Sequence, residues 1–495
     1  MSYELEADYY QDYMFPPRLE ELLGADHPAR FIREFVDALD LEELSISQRV
    51  SDTQGRPSYS PRLLLRVWLY GYFTRVRSTR SLERSCQENL PFMWLSGMHR
   101  PDHSTLHRFF QSNRKSLRKL FKQTVKVACK MKLVEFVLQA VDGTKIESAA
   151  SWRGGYDKDG LLKLLGRADK QIKQLEAQIS ESNEGALAKL PQELSTSKQL
   201  RAKLQKALDE VESTQSKHKH PEELDAERMQ CNGRNRFGHN AQVVVDSAEQ
   251  IIVAESVCQE RTDFEQLEPM LEQAEQVSAH RAEHYLADAG YSSADNFKKM
   301  ETKGLNLLSA IPASTQKSMN HPYGITQFQY NEQANTMRCP QGQVLPFTRK
   351  RLKKGRIELV FQNPSACTQC PARSQCTKSR YRMLSVPQNH QSLRAHCVKM
   401  SCEDNRRVLK QRSGIVEPIF AQIKQNMGFR RWTLKGKDNV QAQWSLLCAT
   451  YNLKKLYQQW KKDHFSRNWQ IFAPFFAYLT SNRASMPQIF IIINI

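Results

Sequence analysis

The sequence lacks the features of membrane and secreted proteins. None of its 495 residues falls in an apolar run of about 20, the length that a membrane-spanning helix needs. The N-terminus, Met-Ser-Tyr-Glu-Leu-Glu-Ala-Asp, is polar and acidic and is unlike a secretory signal. Eleven cysteines, an odd number, favour free thiols or metal ligands over a disulfide framework. We therefore expect a cytoplasmic protein with no membrane partner.

Acidic residues are scarce relative to basic ones. Asp and Glu number 53 against 72 Lys and Arg, which gives a net charge of +19 and an isoelectric point near 9.4. Such an excess favours an acidic partner, most often nucleic acid; a basic protein without such a partner is the alternative. The composition, 40% hydrophobic and 25% charged, is typical of a globular protein.

Helix-start signals dominate residues 1–132. They include Pro28 and Ser78, since proline at the first position and a side-chain oxygen at the N-cap both favour a helix. The last helix of this region is predicted to begin at Asp102 or Ser104 and to run unbroken past Lys126.

This last helix has one apolar face and one strongly basic face. Such a helix is typical of a helix-turn-helix-like DNA contact. The alternative is the solvated face of an ordinary helical bundle. The side chains that we expect to contact DNA are Arg108, Arg114, Lys115 and Arg118.

Three carboxylates have prominent positions in the predicted elements. An apolar run ends on Asp142, and Gly143 is expected to end the strand and turn the chain. A second apolar run ends on Asp288, and Glu417 lies on a helix predicted for residues 405–427. Burying a carboxylate is costly unless it is paired or bound to a metal. Their joint placement therefore favours one shared site over three unrelated turn or surface residues.

Two other aspartates receive different interpretations. Asp246 also ends a predicted strand, but it begins a hairpin turn. Asp263 is most simply the N-cap of a helix predicted for residues 264–277, and a supporting role near the acidic site is the alternative.

The predicted element order between residues 134 and 312 is strand, helical insertion, strand, strand, helix, strand, helix, strand. Without the insertion, three antiparallel strands are followed by alternating helices and strands, which is the ribonuclease-H-like α/β order. In the insertion, Leu and Ile recur at spacings of three and four, which predicts two helices in an antiparallel hairpin or coiled-coil-like arm. This arm could pair chains, touch DNA or be a structural protrusion.

In this topology Asp142, Asp288 and Glu417 can converge on one point. Repulsion among three carboxylates favours bound cations, and Mg²⁺ or Mn²⁺ with oxygen ligands suits phosphodiester cleavage and strand transfer. Pro418 has no N–H and is expected to distort the helix beside Glu417. The nearby basic residues that we expect to hold DNA are Arg412, Lys424, Arg430 and Arg431.

Residues 319–400 form a cysteine-rich basic insertion, which we expect to be irregular over 320–385. A four-thiolate zinc site is one interpretation of its cysteines, and buried or unpaired thiols are the other. Between them, residues 348–356 form a basic ribbon suited to phosphate contacts, or a solvated loop. The candidate ligands are Cys339, Cys367, Cys370 and Cys376.

At these residues the chain resembles the bacterial insertion-sequence transposases of the DDE class. The three acidic motifs are Val141–Lys145, Ala287–Tyr291 and Ile415–Lys424. The resemblance covers roughly residues 12–460 and is greatest to a branch that has a helical and a cysteine-rich insertion. Many relatives carry Tyr and Arg where this chain has Lys410 and Ser413.

The resemblance implies a function and a set of partners. Asp142, Asp288 and Glu417 would be the catalytic, metal-binding triad, and the terminal inverted repeats of a mobile element would be the substrate. The partners would be the element ends and target DNA, bound by a homodimer on the nucleoid. A metal-dependent nuclease that joins nothing and a non-catalytic DNA-binding derivative are the alternatives.

The expected fold is a ribonuclease-H-like α/β core with an all-α N-terminal DNA-binding domain and a coiled-coil-like helical insertion. The core is expected to be discontinuous, since both insertions interrupt it. The predicted segments are 1–132 (DNA-binding helices), 133–157 (core), 158–228 (helical insertion), 229–318 (core), 319–400 (cysteine-rich insertion), 401–462 (catalytic helices) and 463–495 (tail).

Overall fold

The structure is a computed structural model that describes residues 18–46, 58–151, 153–181, 190–214, 216–353 and 355–465. The chain divides into two compact units. One contains residues 1–121 and 449–495, and the other contains residues 122–448. No helix in the described ranges is long and apolar enough to cross a membrane. From position 466 onward, the tail predicted for residues 463–495 lies outside the described residues.

Helices make up the described part of the first unit. Their predicted starts are confirmed, because the Ser78 hydroxyl accepts from Ser81 N at 3.1 Å and Asp102 Oδ1 accepts from Thr105 N at 2.6 Å. The helices are α1 Pro28–Ala38, α2 Pro61–Phe73, α3 Thr79–Glu88, α4 Leu90–Leu95, α5 His103–Ser112 and α6 Arg114–Lys130, the last of which continues into the second unit.

The prediction of one unbroken helix from Asp102 past Lys126 is wrong. The chain leaves the helix at Asn113, between α5 and α6. The Asn113 side-chain amide donates to Phe109 O at 2.8 Å, and an asparagine that bonds its own backbone in this way favours a helix end over a helix interior. The apolar periodicity continues across this break and hides it.

A six-stranded mixed sheet forms the centre of the second unit. The longest strand, β3, pairs antiparallel with β1 on one side and with β2 and β4 on the other. Beyond β1 the sheet continues with β5 and β6, which run parallel to it. The strands are β1 Leu138–Glu147, β2 Glu227–Cys231, β3 Arg234–Asp246, β4 Ile252–Cys258, β5 His284–Ala287 and β6 Leu307–Ser309.

The first strand does not end at its carboxylate, so the prediction of a turn at Gly143 is wrong. β1 stays paired with β3 from Gln139↔Asp246 to Glu147↔Gly238. Gly143 serves a close approach instead, since a Cβ there would lie 2.2 Å from Gln242 Nε2. The cross-strand side chain thus explains the glycine that the sequence suggested was a turn residue.

The predicted pair of antiparallel helices is present between β1 and β2. The helices are α7 Lys158–Glu181 and α8 Leu190–Thr214. Ion pairs link residues from opposite ends of the two helices, with Lys158 Nζ 2.9 Å from Glu212 and Lys198 Nζ 2.8 Å from Glu176. The buried seam between them consists of Leu161, Leu165, Ala168, Leu204, Ala207, Leu208 and Val211.

The expectation of irregular structure over 320–385 is also wrong. This segment contains a five-stranded antiparallel sheet around a small apolar core that includes Phe328 and Phe361. Its alternating pattern was hidden because Lys and Arg occupy successive exposed positions of β9. The strands are β7 Gln329–Asn331, β8 Thr336–Arg338, β9 Val344–Lys353, β10 Arg356–Gln362 and β11 Met383–Pro387.

The remaining helices flank the two sheets or, as α16 does, close the described part of the chain. α15 packs across β1 and β5 and is followed by a π-helical turn, Gln422–Asn426. The helices are α9 Leu267–Ser278, α10 Ala294–Thr302, α11 Ala313–Asn320, α12 Pro364–Thr368, α13 Arg373–Cys376, α14 His390–Lys399, α15 Glu403–Ala421 and α16 Lys437–Phe465.

Candidate active site

Two of the three predicted catalytic carboxylates lie side by side on the central sheet. β1 and β5 are parallel neighbours, with Ala140 opposite Leu286. Continuing this register by two residues sets Asp142 opposite Asp288, which directly follows β5. Because equivalent positions of adjacent parallel strands point to the same side, the two carboxyl groups share one face of the sheet at the edge where β5 ends. We call this position of Asp142 and Asp288 the acidic edge.

Asp142 is largely buried and is held by two donors. Its Oδ1 accepts from Gly143 N at 2.7 Å, and its Oδ2 accepts from Arg412 Nη1 at 2.9 Å. Burial raises the pKa of Asp142, an effect that the Arg412 charge opposes and the neighbouring Asp288 charge reinforces. The ionised carboxylate therefore needs more positive charge than Arg412 alone supplies.

Asp288 caps a short turn, Ala289–Tyr291, where its Oδ1 accepts from Gly290 N at 2.8 Å. A Cβ on Gly290 would lie 2.9 Å from Asp288 Oδ1 and 3.4 Å from Asp263 Oδ2. The glycine thus leaves room between two carboxylates, and a third acid lies close to the predicted pair.

The first interpretation of Asp263, as an N-cap, is wrong, and its contacts agree with the alternative of a supporting position near the acidic pair. α9 begins at Leu267 with no side-chain cap bond. Asp263 Oδ2 instead pairs with Lys145 Nζ at 3.2 Å, and its Oδ1 accepts from Asn240 Nδ2 at 2.6 Å and Gln242 Nε2 at 2.7 Å. The available signal was the two amides at alternate positions, Asn240 and Gln242, that precede the apolar run Val243–Val245, since buried amides require a polar partner.

Asp246, the other aspartate at a strand end, has a structural role. It is fully buried at the end of β3. Its carboxylate accepts from Glu135 N at 3.2 Å, Phe136 N at 3.1 Å and Ala248 N at 3.2 Å. These bonds fix the entry to β1 and the turn after β3, as its interpretation as a hairpin residue predicts.

Glu417 lies on α15 but not against the aspartates. Val416, the residue before it, is buried, whereas Glu417 is exposed, and successive helical positions differ by about 100° around the axis. Among the described residues, no three His, Cys, Asp or Glu side chains form a group that could hold a metal ion. The structure thus brings Asp142 and Asp288 together without closing a three-carboxylate group.

Pro418 does not distort the helix beside Glu417, so the predicted distortion at that position is wrong. α15 continues to Ala421, and the π-helical turn follows one turn later. Proline leaves the carbonyl of Gly414, four residues earlier, without its helical donor. Gln250 Nε2 donates to that carbonyl at 3.1 Å, so a side chain from the β3–β4 turn replaces the missing bond.

The basic residues around α15 differ in what they contact. Arg412 pairs with Asp142, and Arg431 holds the chain after β1 by donating to Ser148 O at 2.8 Å and Ala150 O at 2.7 Å. Burial lowers the pKa of the half-buried Lys424, while the Asp142 charge opposes this effect. The Lys424 ammonium therefore lies within electrostatic reach of the acidic edge.

The other basic residues predicted to contact DNA lie largely at the surface of their units. Arg430 Nε donates to Lys424 O at 3.2 Å, and its side chain is exposed. On α5 and α6, the side chains of Arg108, Lys115 and Arg118 are exposed, and Arg114 is half-buried. The predicted basic face is therefore present, although two helices share it.

The four cysteines predicted as metal ligands meet around one small cavity. Cys339, Cys367, Cys370 and Cys376 are all partly buried free thiols, and all four line a cavity of about 30 Å³. They come from separate elements of the second sheet's subdomain. Its tertiary structure therefore brings together thiols that lie up to 37 residues apart in the sequence.

Two family models match the chain. One is described as a transposase DDE domain and matches residues 338–457, which include Glu417 and the four cysteines. The other is described as a transposase domain (DUF772) and matches residues 17–112, which include α1 to α5. Neither matched segment contains Asp142 or Asp288. No curated protein and no solved structure matches the chain.

Proposed function

We propose that this chain, which its two transposase domains identify as an insertion-sequence DDE transposase, cuts DNA at the terminal inverted repeats of its element and transfers the ends to target DNA. The observation that carries the proposal is the parallel register of β1 and β5, which places Asp142 beside Asp288. Two adjacent carboxylates at one sheet edge suit metal-dependent phosphodiester chemistry.

The sheet supports a ribonuclease-H-like core. Apart from β2, the strand order is β4-β3-β1-β5-β6, which in chain order reads third, second, first, fourth, fifth. In this series β3 runs in the direction opposite to that of the other four strands. This is the strand order expected of the fold. On this interpretation, α7, α8 and β2 belong to an insertion between β1 and β3.

The donor set at this edge fits a divalent ion. The Asp142 carboxylate is largely buried, burial is the main cause of its raised pKa, and Asp288 adds a second oxygen donor. Mg²⁺ or Mn²⁺ bound there would activate a water or a 3′-hydroxyl and stabilise the leaving oxygen. We assign Glu417 as the third ligand, which its side chain would supply by turning toward β1 and β5 when DNA is bound.

The chain's own groups would orient the acids and the DNA. Gly143 N and Gly290 N fix one oxygen of each aspartate. The second oxygen of Asp142 accepts from Arg412, a contact that a bound cation would replace or share. Lys424, close to Asp142, would hold a phosphate of the reacting strand. The exposed side chains of Arg108, Lys115, Arg118 and Arg430 would bind the duplex by charge. Because two element ends must meet, we propose a homodimer on DNA.

The test is a strand-transfer assay with pre-cut element ends, target DNA and Mg²⁺. Asp142→Asn, Asp288→Asn and Glu417→Gln should each lower product formation by at least about 100-fold, since each removes a metal ligand. Glu403→Gln is the matched control, because Glu403 is exposed on the same helix about 21 Å earlier along its axis. Its activity should equal that of the wild type.

The products distinguish the alternatives. Cleaved but unjoined DNA from the wild type would indicate a nuclease instead of a transposase. DNA binding in a mobility-shift assay with neither cleavage nor joining would indicate a non-catalytic derivative. Full activity of Asp142→Asn or Asp288→Asn would refute the assignment of the acidic pair.

A further inference from the structure

The four-cysteine cavity belongs to the subdomain formed by β7–β11, α12 and α13. Cys339 follows β8, Cys367 lies on α12, Cys370 follows it, and Cys376 ends α13. Three separate segments thus direct the four thiols to one cavity of about 30 Å³, which is room for about one water-sized species. None of these residues belongs to the acidic edge.

The turn that carries Cys339 has the features of a thiolate ligand site. Gly342 N donates to Cys339 O at 2.8 Å, and Gln343 N donates to Cys339 Sγ at 3.3 Å. Gly342 has φ +78°, a conformation that favours glycine. A backbone N–H directed at sulfur stabilises the negative charge that the sulfur carries as a metal ligand.

A turn also arranges the thiols of Cys367 and Cys370. Cys370 N donates to Cys367 O at 3.3 Å, which closes the Cys-x-x-Cys segment. A two-residue separation is within the range found for paired zinc ligands. Arg373 N and Cys376 N continue the turns by donating to Cys370 O at 3.1 Å and Ala372 O at 3.0 Å.

The chemistry of the cavity selects the ion. Four thiols are the usual metal ligands among its lining residues, which include no His, Asp or Glu; the other polar lining side chains are Tyr323, Gln341, Gln343, Thr377, Arg373 and Arg382. Sulfur ligands favour Zn²⁺ over Mg²⁺. The guanidinium-bearing side chains of Arg373 and Arg382 also line the cavity, and they would offset the net negative charge of a tetrathiolate site.

We propose that Cys339, Cys367, Cys370 and Cys376 bind one structural Zn²⁺. Four S–H bonds break and four Zn–S bonds form, so up to four protons are released to solvent for each ion bound. In the structure the thiols surround the cavity without forming a ligation group. Zn–S bonds of about 2.3 Å therefore require the sulfurs to move inward.

The zinc would stabilise a subdomain that has few other means of support. α12 and α13 have five and four residues, and helices this short are unstable on their own. In the described part of the chain, six buried side chains form the apolar core of this sheet, and Cys339 and Cys376 are among the partly buried side chains packed against it. Bonds to one ion would tie both helices to the turn after β8, and so fix the sheet that presents the basic β9–β10 hairpin.

The experiment measures metal in full-length protein purified under reducing conditions. Elemental analysis should find about one zinc per chain, and Co²⁺ in its place should give the absorption bands of a tetrahedral thiolate complex. Substituting serine at any of the four positions should lower zinc content several-fold. Cys402→Ser is the matched control, because Cys402 is an exposed thiol directly before α15 that does not line the cavity.

Two further outcomes keep the test decisive. Cys376→His should retain zinc where Cys376→Ser loses it, because three cysteines and one histidine form a common zinc donor set; a general folding defect would abolish zinc in both. Absence of zinc from the reduced wild type, a Co²⁺ spectrum without thiolate bands, or a disulfide between two of the four cysteines would overturn the proposal. The activity of the acidic edge plays no part in these readouts.

Discussion

The ion pair between Arg412 and Asp142 makes a prediction about how stability depends on metal. Removing one partner of a buried ion pair costs about 3–5 kcal/mol, whereas an exposed pair contributes about 0–1 kcal/mol. The Arg412 and Asp142 side chains are 19% and 18% exposed, between these limits. We therefore expect Arg412→Gln to lower the free energy of unfolding by about 2 kcal/mol without divalent ions, a fall in Tm of roughly 5 °C.

Mg²⁺ should reduce this loss. A divalent ion at Asp142 supplies the positive charge that Arg412 otherwise provides, and binding to the folded state adds about 2.7 kcal/mol at 100 times the Kd. The difference between Arg412→Gln and wild type should thus shrink to below about 1 kcal/mol in saturating Mg²⁺. The Mg²⁺ affinity of the variant should also rise, because the ion no longer competes with a guanidinium.

The assay is thermal unfolding in EDTA and across a Mg²⁺ titration. Arg407→Gln is the matched control, since Arg407 lies on the same helix and forms an exposed pair with Asp404 at 3.5 Å. It should change Tm by less than about 1 °C in either condition. An equal loss for Arg412→Gln in EDTA and in Mg²⁺ would refute the idea that a cation and Arg412 serve the same carboxylate.

Two other predictions concern Asp263 and the buried histidines. Asp263→Asn should lower strand transfer about tenfold or more while leaving DNA binding intact, because Lys145 loses its ion pair beside the acidic edge; unchanged transfer would show that this pair is only structural. Burial lowers the pKa of both His390 and His396 from 6.5 to about 4, so the folded protein binds fewer protons than the unfolded chain between these values, and stability falls as pH drops from 6.5 toward 4. Denaturant unfolding at pH 7 and pH 5 should show a loss of about 2 kcal/mol for each histidine, and an unchanged pH dependence in His396→Gln would contradict this assignment.

The acidic pair was predictable because its geometry follows from local patterns. An apolar run that ends in Asp predicts a strand with a carboxylate at its exit, and parallel pairing then brings Asp142 and Asp288 together. The strand did not end where Gly143 suggested, however. That glycine responds to the Gln242 side chain on another strand, which a one-dimensional pattern does not contain.

Other features depended on long-range contacts and could not be read locally. Thr262-Asp263 has the sequence of a helix cap, but the Asp263 carboxylate accepts hydrogen bonds from Lys145, Asn240 and Gln242 instead. Pro418 suggested a local kink, but Gln250 satisfies the freed carbonyl. The direction of Glu417 depends on how α15 packs on the sheet, so the sequence predicted its element without predicting its distance from the aspartates.

The central claim is that Asp142 and Asp288 bind a catalytic metal ion. Its most direct test is strand transfer by Asp142→Cys and Asp288→Cys in Mg²⁺ and in Mn²⁺, because thiolate is a poorer ligand for Mg²⁺ than for the softer Mn²⁺. The account predicts at least a 100-fold loss of product in Mg²⁺ for both variants, with activity restored at least in part by Mn²⁺. Equal activity of both variants in the two ions, or no recovery in Mn²⁺ by either folded variant, would contradict it.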